Sequence, residues 1–70
     1  MAARALRKIR RDSELTQTDI AERAEMQLSR YFRIEHGIGR APTVDERIAV
    51  AAALNVPVQQ IAFAHDERHK

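Results

Sequence analysis

The feature that most constrains this chain is a pair of short helical patterns separated by only about three residues. Thr16 stands three residues before Asp19, an arrangement typical of a capping box at a helix start. Apolar residues then follow helical spacing over 17–24, and again over 28–35. Gly37 ends the second pattern, because glycine adopts left-handed conformations without steric cost. The segment therefore predicts two short helices that meet at a tight corner.

Helical patterns also lie on both sides of this corner. Residues 2–11 predict an amphipathic first helix with a basic stripe, made up of Arg4, Arg7, Lys8 and Arg11. Thr43 and Glu46 form a second capping box, which starts a fourth helix. This helix carries the apolar residues Val44, Ile48, Ala51, Ala52 and Leu54. Asn55 is a suitable left-handed residue to end this helix.

Pro57 is expected to open a last short helix that carries Val58, Ile61 and Ala62. The sequence thus predicts an all-α, compact five-helix domain with no strand. A chain of 70 residues supports one core, so we assign residues 1–64 to a single domain and expect the charged tail at 65–70 to be frayed.

Composition narrows the setting in which such a domain acts. The chain has no cysteine, which excludes disulfides and thiolate metal sites and suits a reducing cytoplasm. No apolar run approaches the ~20 residues of a membrane span, and no signal peptide is apparent. We therefore expect a soluble, cytoplasmic protein with no membrane partner. Ten of its twelve basic residues are arginine, whose planar guanidinium can bind phosphate or a guanine edge through two hydrogen bonds.

Four sequence runs, in this order and at this spacing, carry a family resemblance: LTQTDIAERA at 15–24, IEHG at 34–37, PT at 42–43 and LNVP at 54–57. Together they resemble the lambdoid phage repressor, Cro and XRE-like helix-turn-helix family over almost the whole chain. The resemblance implies a lambda-repressor-like fold and a transcriptional regulator that binds double-stranded operator DNA. It implies a regulator of the phage-repressor or restriction-modification-controller type.

Two positions depart from the family pattern. Glu25 stands in the turn where the family usually has glycine, and a positive φ at a non-glycine residue costs of order 1 kcal/mol. Gln27 stands where the family usually has a serine or threonine cap, and glutamine caps helices poorly. We therefore expect a slightly strained turn before the third helix.

The resemblance places the third helix, about residues 28–35, in the major groove. With Tyr31 and Ile34 facing the core, its outward residues are the candidate base contacts: Leu28, Ser29, Phe32 and Arg33. Arg33 is the best candidate for specificity, because arginine to guanine is the commonest specific base contact. The alternatives are that Arg33 is an ordinary surface arginine and that Phe32 packs against the second helix or the following loop.

The resemblance also implies contacts to the DNA backbone. The candidate phosphate ligands are Gln17, Arg30, His36 and Arg40, together with the backbone amides of the loop at 37–43. Arg10 and Glu35 match an ion pair that some family members form, and such a pair would orient the reading helix. The basic stripe of the first helix is either a further phosphate contact or a solvated face.

We further expect a symmetric homodimer, formed through the segment at 55–63, whose small apolar patch would make it weak in the absence of DNA. Its apolar side chains are numerous for a short chain, and the candidate interface residues are Val56, Val58, Ile61 and Phe63. Two copies spaced about 34 Å apart would read half-sites one helical turn apart.

Two other classes of function deserve comparison. His65 and His69 stand four apart with acidic residues between them, but a zinc hydrolase needs a glutamate directly after the first histidine and a third ligand. We therefore expect no catalytic residues, metal, cofactor or small-molecule ligand. The second alternative is a helix-turn-helix module that serves as a protein-interaction or antitoxin-like adaptor. Against it stand three arginines and only one acid between residues 28 and 40.

Overall fold

A computed structural model describes residues 2–67 of the chain. Within that range the helices are α1 (Leu6–Asp12), α2 (Gln17–Arg23), α3 (Leu28–His36), α4 (Val44–Leu54) and α5 (Ala64–Glu67). The fold is all-α, as predicted, and α2 and α3 form the expected corner. Helix α2 packs against both α3 and α4, which places it at the centre of the domain.

A pair of two-residue strands joins the two ends of the described segment. β1 (Arg4–Ala5) and β2 (Ile61–Ala62) run parallel, with Arg4 opposite Ile61 and Ala5 opposite Ala62. The prediction of no strand was therefore wrong. The first helix also begins later than predicted, at Leu6, because the residues before it lie in β1.

The segment after Pro57 differs from the predicted fifth helix. A single 3-10 turn (Val58–Gln60) follows the proline, and the backbone is then extended at Ile61, with φ −102° and ψ 124°. Ile61 and Phe63 are buried while Ala62 is only half-buried, an alternation typical of a strand. The apolar spacing of this segment fits both a helix and a strand, and pairing with β1 selects the strand.

The core combines side chains from all the major helices. Its fully buried members include Ile20 of α2, Tyr31 and Ile34 of α3, and Val50 of α4. Leu6 and Ile9 of α1 are also buried there. Small residues such as Ala21 and Ala51 lie among them, which allows the helices to approach closely.

Helix α4 buries only part of its apolar surface. Its buried residues are Val50, Ala51, Ala53 and Leu54. Val44 and Ile48 are 70% and 53% exposed, and Ala52 is exposed as well. Because α4 is apolar around most of its circumference, helical spacing alone does not identify its inward face.

The helix ends follow the predicted chemistry. Both capping boxes are present, with the Thr16 hydroxyl accepting from the Asp19 amide at 3.0 Å and the Thr43 hydroxyl accepting from the Glu46 amide at 3.0 Å. Gly37 and Asn55 end α3 and α4 in the left-handed conformation. Glu25 has a φ of 57°, so the turn before α3 does place a non-glycine residue in the left-handed region.

The start of the charged tail is ordered in the structure. Residues 65–67, which we expected to be frayed, lie in α5, and α5 contacts α3. Residues 68–70 lie outside the described range. No helix between residues 2 and 67 is long and apolar enough to cross a membrane.

Candidate nucleic-acid interface

Helix α3 presents a clear outward face. Tyr31, Ile34 and Glu35 face the interior. The four candidate base contacts, Leu28, Ser29, Phe32 and Arg33, are all exposed. The Gln27 side chain makes no capping hydrogen bond, as its poor capping chemistry predicts. The sequence therefore identified the accessible residues of this helix correctly, while their contact with DNA bases stays a prediction.

Phe32 stacks on a neighbour within the same helix. Its ring centroid lies 4.1 Å from that of His36, with an interplanar angle of 35°. His36 is also exposed, so the two rings form an aromatic pair on the outer surface of α3. The alternative that Phe32 is buried against α2 is not what the structure has.

Arg33 has no ion pair and no side-chain hydrogen bond with any group in residues 2–67. The stem of its side chain runs close to the next loop, since a methyl group placed on Gly39 would lie 3.9 Å from Arg33 Cδ. All the donors of the Arg33 guanidinium are therefore available to an external ligand.

The last turn of α3 is held by a buried carboxylate. Glu35 accepts a hydrogen bond from Arg10 Nε at 2.6 Å, so the predicted pair is formed. The Tyr31 hydroxyl donates to the same carboxylate at 3.1 Å, and Gln17 Nε2 donates to it at 2.7 Å. Arg10 Nη1 also donates to the carbonyl of Leu15 at 2.9 Å. This network joins α1, the start of α2 and the end of α3, and so fixes the orientation of α3.

Burial and hydrogen bonding have opposite effects on the pKa of Glu35 in this network. Burial alone raises the pKa of Glu35, but hydrogen bonds from Arg10 and Gln17 outweigh it, and the net pKa is lowered. Burial also raises the pKa of the Tyr31 hydroxyl, and the neighbouring Glu35 charge adds to that rise. Glu35 is therefore an ionised acceptor at neutral pH, and Tyr31 is a neutral donor.

Gln17 lies within this network and not simply at an exposed helix end. Its side chain is half-buried, and the amide nitrogen is already bonded to Glu35. A phosphate contact from Gln17 must therefore use the second hydrogen on Nε2, the backbone amide or a rearranged side chain. The sequence did not indicate this contact between Gln17 and the Arg10–Glu35 pair.

The loop between α3 and α4 (37–43) is shaped by Arg30. The Arg30 side chain is largely buried and forms two hydrogen bonds with Glu46, at 2.9 and 2.8 Å. It also donates to the carbonyls of Arg40 at 3.3 Å and Ala41 at 3.4 Å. These four hydrogen bonds use most of the five N–H donors of Arg30 inside the protein, and the predicted phosphate contact stays a prediction. Its partner Glu46 lies sixteen residues away, which sequence spacing could not reveal.

Arg40, by contrast, remains accessible. Its side chain is 64% exposed and contacts Glu46 only at 3.3 and 3.4 Å, near the limit for a hydrogen bond. Glu46 is held ionised, because hydrogen bonds from Arg30 lower its pKa to about 2. An external anion can therefore compete with Glu46 for Arg40.

The backbone of the same loop is asymmetric in its hydrogen bonding. The carbonyls of four successive residues, 39–42, accept hydrogen bonds from protein side chains. The amides of Gly39, Arg40 and Ala41 donate to no other group within residues 2–67. Successive unused amides beside an exposed arginine make up an arrangement suited to binding an anion.

The predicted dimer segment contributes mostly to the protomer's own core. Ile61 and Phe63 are buried, and Val56 and Val58 pack partly against the core. Ile61 and Phe63 therefore present little surface to a second copy. The exposed apolar residues that form a line on one helix are instead Val44, Ile48 and Ala52 of α4.

The predicted basic stripe, which begins in β1 and continues along α1, divides into two pairs. Arg4 and Lys8 both contact Asp12, at 2.9 and 3.7 Å, whereas Arg7 and Arg11 are exposed and form no ion pair within residues 2–67. The same range contains no group of three or more His, Asp or Glu side chains able to hold a metal, and His69 lies outside it. His65 instead contacts the carbonyl of Gly39.

Comparison with protein-family models matches residues 6–61 to the helix-turn-helix family of the XRE and lambda-repressor type. Comparisons with curated proteins and with solved structures give no significant match. The matched range contains α1 to α4 and therefore the whole of the surface described above.

Proposed function

Because the chain belongs to the helix-turn-helix family of DNA-binding transcription regulators, we propose that it is a sequence-specific repressor whose helix α3 reads the major groove of its operator. The observation that carries this proposal is the unpaired Arg33 on the exposed face of α3, next to a loop with unused amides. Such a regulator acts in the cytoplasm and needs no cofactor.

Base recognition falls to the outward residues of α3. Arg33 donates two hydrogen bonds to a guanine edge, and Ser29 adds a less selective contact. Leu28 and Phe32 are exposed apolar groups that fit thymine methyl groups. The stacked His36 limits the motion of Phe32.

Backbone contacts fall to both sides of α3. Arg40 and the amides of residues 39–41 bind one phosphate region, with His36 beside them, and Gln17 at the start of α2 binds another. Arg30 is assigned a different role from the one predicted: it holds the loop in shape from inside.

The defining experiment is selection of bound sites from random double-stranded DNA, followed by affinity measurements on the enriched site. We expect one enriched sequence with inverted half-sites. Failure to enrich any site would overturn the proposal and favour the protein-interaction alternative.

Arg33→Ala is the sharpest variant for base reading. Losing one bidentate base contact, worth about 1–3 kcal/mol, should weaken operator binding roughly 5- to 150-fold while leaving affinity for random DNA nearly unchanged. Arg11→Ala, which removes an exposed arginine from α1, is the matched control. Equal losses on operator and random DNA would make Arg33 a phosphate contact.

Arg40→Ala tests the backbone contact. We expect weaker binding to every sequence and a reduction of about one in the slope of log affinity against log salt concentration. Titrations at several salt concentrations measure both quantities. An unchanged slope would contradict a direct ionic contact.

We also propose a homodimer on the operator, with the exposed line on α4 supplementing Val56 and Val58 at the interface. The available apolar patch is small, and interfaces below ~1,200 Å² tend to be transient. Mass should therefore be measured with and without the selected site. Ile48→Lys should weaken dimer formation without unfolding the protomer, because Ile48 is exposed. A 1:1 complex on a site with no inverted repeat would contradict the dimer while leaving DNA binding intact.

A further inference from the structure

The residues that follow β2 lie against the backbone carbonyls of the 37–43 loop. His65 Nε2 lies 3.0 Å from the carbonyl oxygen of Gly39. Arg47 of α4 donates to the carbonyl of Pro42 at 3.2 Å and grips both carboxylate oxygens of Asp66, at 2.8 and 3.1 Å. Residues 63–66 therefore contact the loop directly through His65, and indirectly through Asp66, which binds Arg47.

Arg47 is fixed in place on more than one side. Its guanidinium carbon lies 4.9 Å from the centroid of the buried Phe63 ring, in cation–π geometry. The bidentate bond to Asp66 sets the rotation of the guanidinium plane. Phe63 and Asp66 together thus determine where Arg47 meets Pro42.

The loop depends on such contacts because its own backbone offers few. Within the described part of the chain, only Ile38 among the amides at 38–41 forms a backbone hydrogen bond, to the carbonyl of Arg33. Gly39 has a φ of 77°, a conformation that lies outside the regular helix and strand regions. Arg30 holds the middle of the loop, whereas His65 and Arg47 hold the carbonyls on either side of it.

The two ring nitrogens of His65 differ in their hydrogen bonding. Its Nδ1 atom is buried and has no hydrogen-bond partner within residues 2–67, an arrangement that costs free energy and is uncommon. Because the partner of Nε2 is a carbonyl, Nε2 must carry the proton. The unfavourable burial of Nδ1 is thus tied to the contact that Nε2 makes with Gly39.

We propose that residues 63–66 form a C-terminal brace that positions the 37–43 loop for phosphate binding, with His65 and Asp66 as positioning residues. The inference rests on the proposed DNA-binding function. The brace contacts the Gly39 carbonyl through His65 and holds Arg47, which donates to the Pro42 carbonyl. The unused amides and Arg40 lie between those two carbonyls. Releasing either contact loosens the phosphate-binding groups without removing any of them.

The test uses His65→Ala and Asp66→Asn in the full chain, with Asp12→Asn as the matched control. Asp12 forms an exposed ion pair of the same kind on α1, away from the loop. Each brace variant should lose about fivefold in affinity, the equivalent of one ordinary hydrogen bond, on operator and random DNA alike. The salt slope should stay unchanged because no phosphate ligand is removed. The control should bind no more weakly than the unmodified chain does, because losing the Asp12 charge only frees Arg4 and Lys8.

NMR of the free protein supplies a readout independent of DNA. The order parameters of the Gly39, Arg40 and Ala41 amides should fall in both brace variants and stay constant in Asp12→Asn. His65→Gln, whose amide can donate to the Gly39 carbonyl, should restore part of both the order and the affinity. If His65→Ala proves unfolded by circular dichroism, Asp66→Asn and His65→Gln decide the question.

Unchanged loop order in folded brace variants would overturn the proposal. A reduced salt slope would also overturn it, since His65 would then contact phosphate itself. If the unmodified chain binds no DNA, the proposed function fails, and the NMR result still shows whether the brace holds the loop.

Discussion

Two carboxylates hold helix α3, one near each end, and they do so in different environments. Glu35 is almost completely buried, with 1% of its side chain exposed, and it gathers donors from α1, α2 and α3. Glu46 is 19% exposed and gathers two arginines and the Thr43 amide. Both carboxyl groups have a lowered pKa, but burial is the largest influence at Glu35, whereas the hydrogen bonds from Arg30 are the largest at Glu46.

This difference in burial gives the two carboxylates different roles. A buried ion pair adds little net stability compared with apolar packing, but it is costly to break, because the remaining partner is left desolvated. Glu35 therefore fixes how α3 is oriented. Glu46 stays close enough to solvent that one of its partners, the exposed Arg40, can transfer to an external anion. The buried carboxylate supports α3, and the accessible one supports the 37–43 loop.

The largest effect should come from Glu35→Ala. We expect a loss of about 3 kcal/mol in the free energy of unfolding, because Arg10 and Tyr31 lose their common acceptor. Urea denaturation followed by circular dichroism measures it, with the exposed Glu22→Ala as control. A smaller loss in the free energy of unfolding for Glu35→Ala than for Glu46→Gln would show that the buried carboxylate is not the stronger support of α3.

Glu46→Gln should cost about 1–2 kcal/mol at neutral pH, because charge-assisted hydrogen bonds to Arg30 are weakened while glutamine can still complete the capping box. A pKa of about 2 in the folded state, below the ordinary value of 4.5, means that ionised Glu46 stabilises the fold. That stability is fully present above about pH 5 and is lost as pH falls towards 2.

The stability gap between the unmodified chain and Glu46→Gln should therefore narrow over that acidic range, as acid titrations of both proteins can measure. The lowered pKa of Glu35 contributes to the acid sensitivity of both proteins alike. A gap that stays constant down to pH 2 would show that the Glu46 charge is not what stabilises the loop.

Tyr31→Phe should have the smallest effect, about 1 kcal/mol. It removes one neutral donor from Glu35 and leaves Arg10 and Gln17 in place. Thermal unfolding of Tyr31→Phe beside Glu35→Ala would show how the network's stability divides between neutral and charged donors. A loss as large as that of Glu35→Ala would make the tyrosine, and not the ion pair, the main support of α3.

Local signals in the sequence predicted the corner and its ends well. The two capping boxes, the left-handed Gly37 and Asn55, and the outward residues of α3 depend on neighbours within one or two helical turns. The Arg10–Glu35 pair spans much more of the chain, and only the family resemblance indicated it.

Non-local choices were the ones that sequence could not decide. Residues 61–62 become extended because β1 is available to pair with them. The inward face of α4 is set by packing against α2, since the helix itself is apolar around most of its circumference. Arg30 turns inward because Glu46 lies within reach, and Asp66 of α5 is held by Arg47. Each outcome needs a partner that is distant in sequence.

The parallel pairing of β1 with β2 also has a kinetic consequence. It joins residues near opposite ends of the described chain, so it closes a long loop, whereas the α2–α3 corner forms from near neighbours. We expect the α2–α3 corner to form early in folding and the β1–β2 pair to form late. Substitutions in the β1–β2 pair would then mainly accelerate unfolding and so shorten the lifetime of the folded protein.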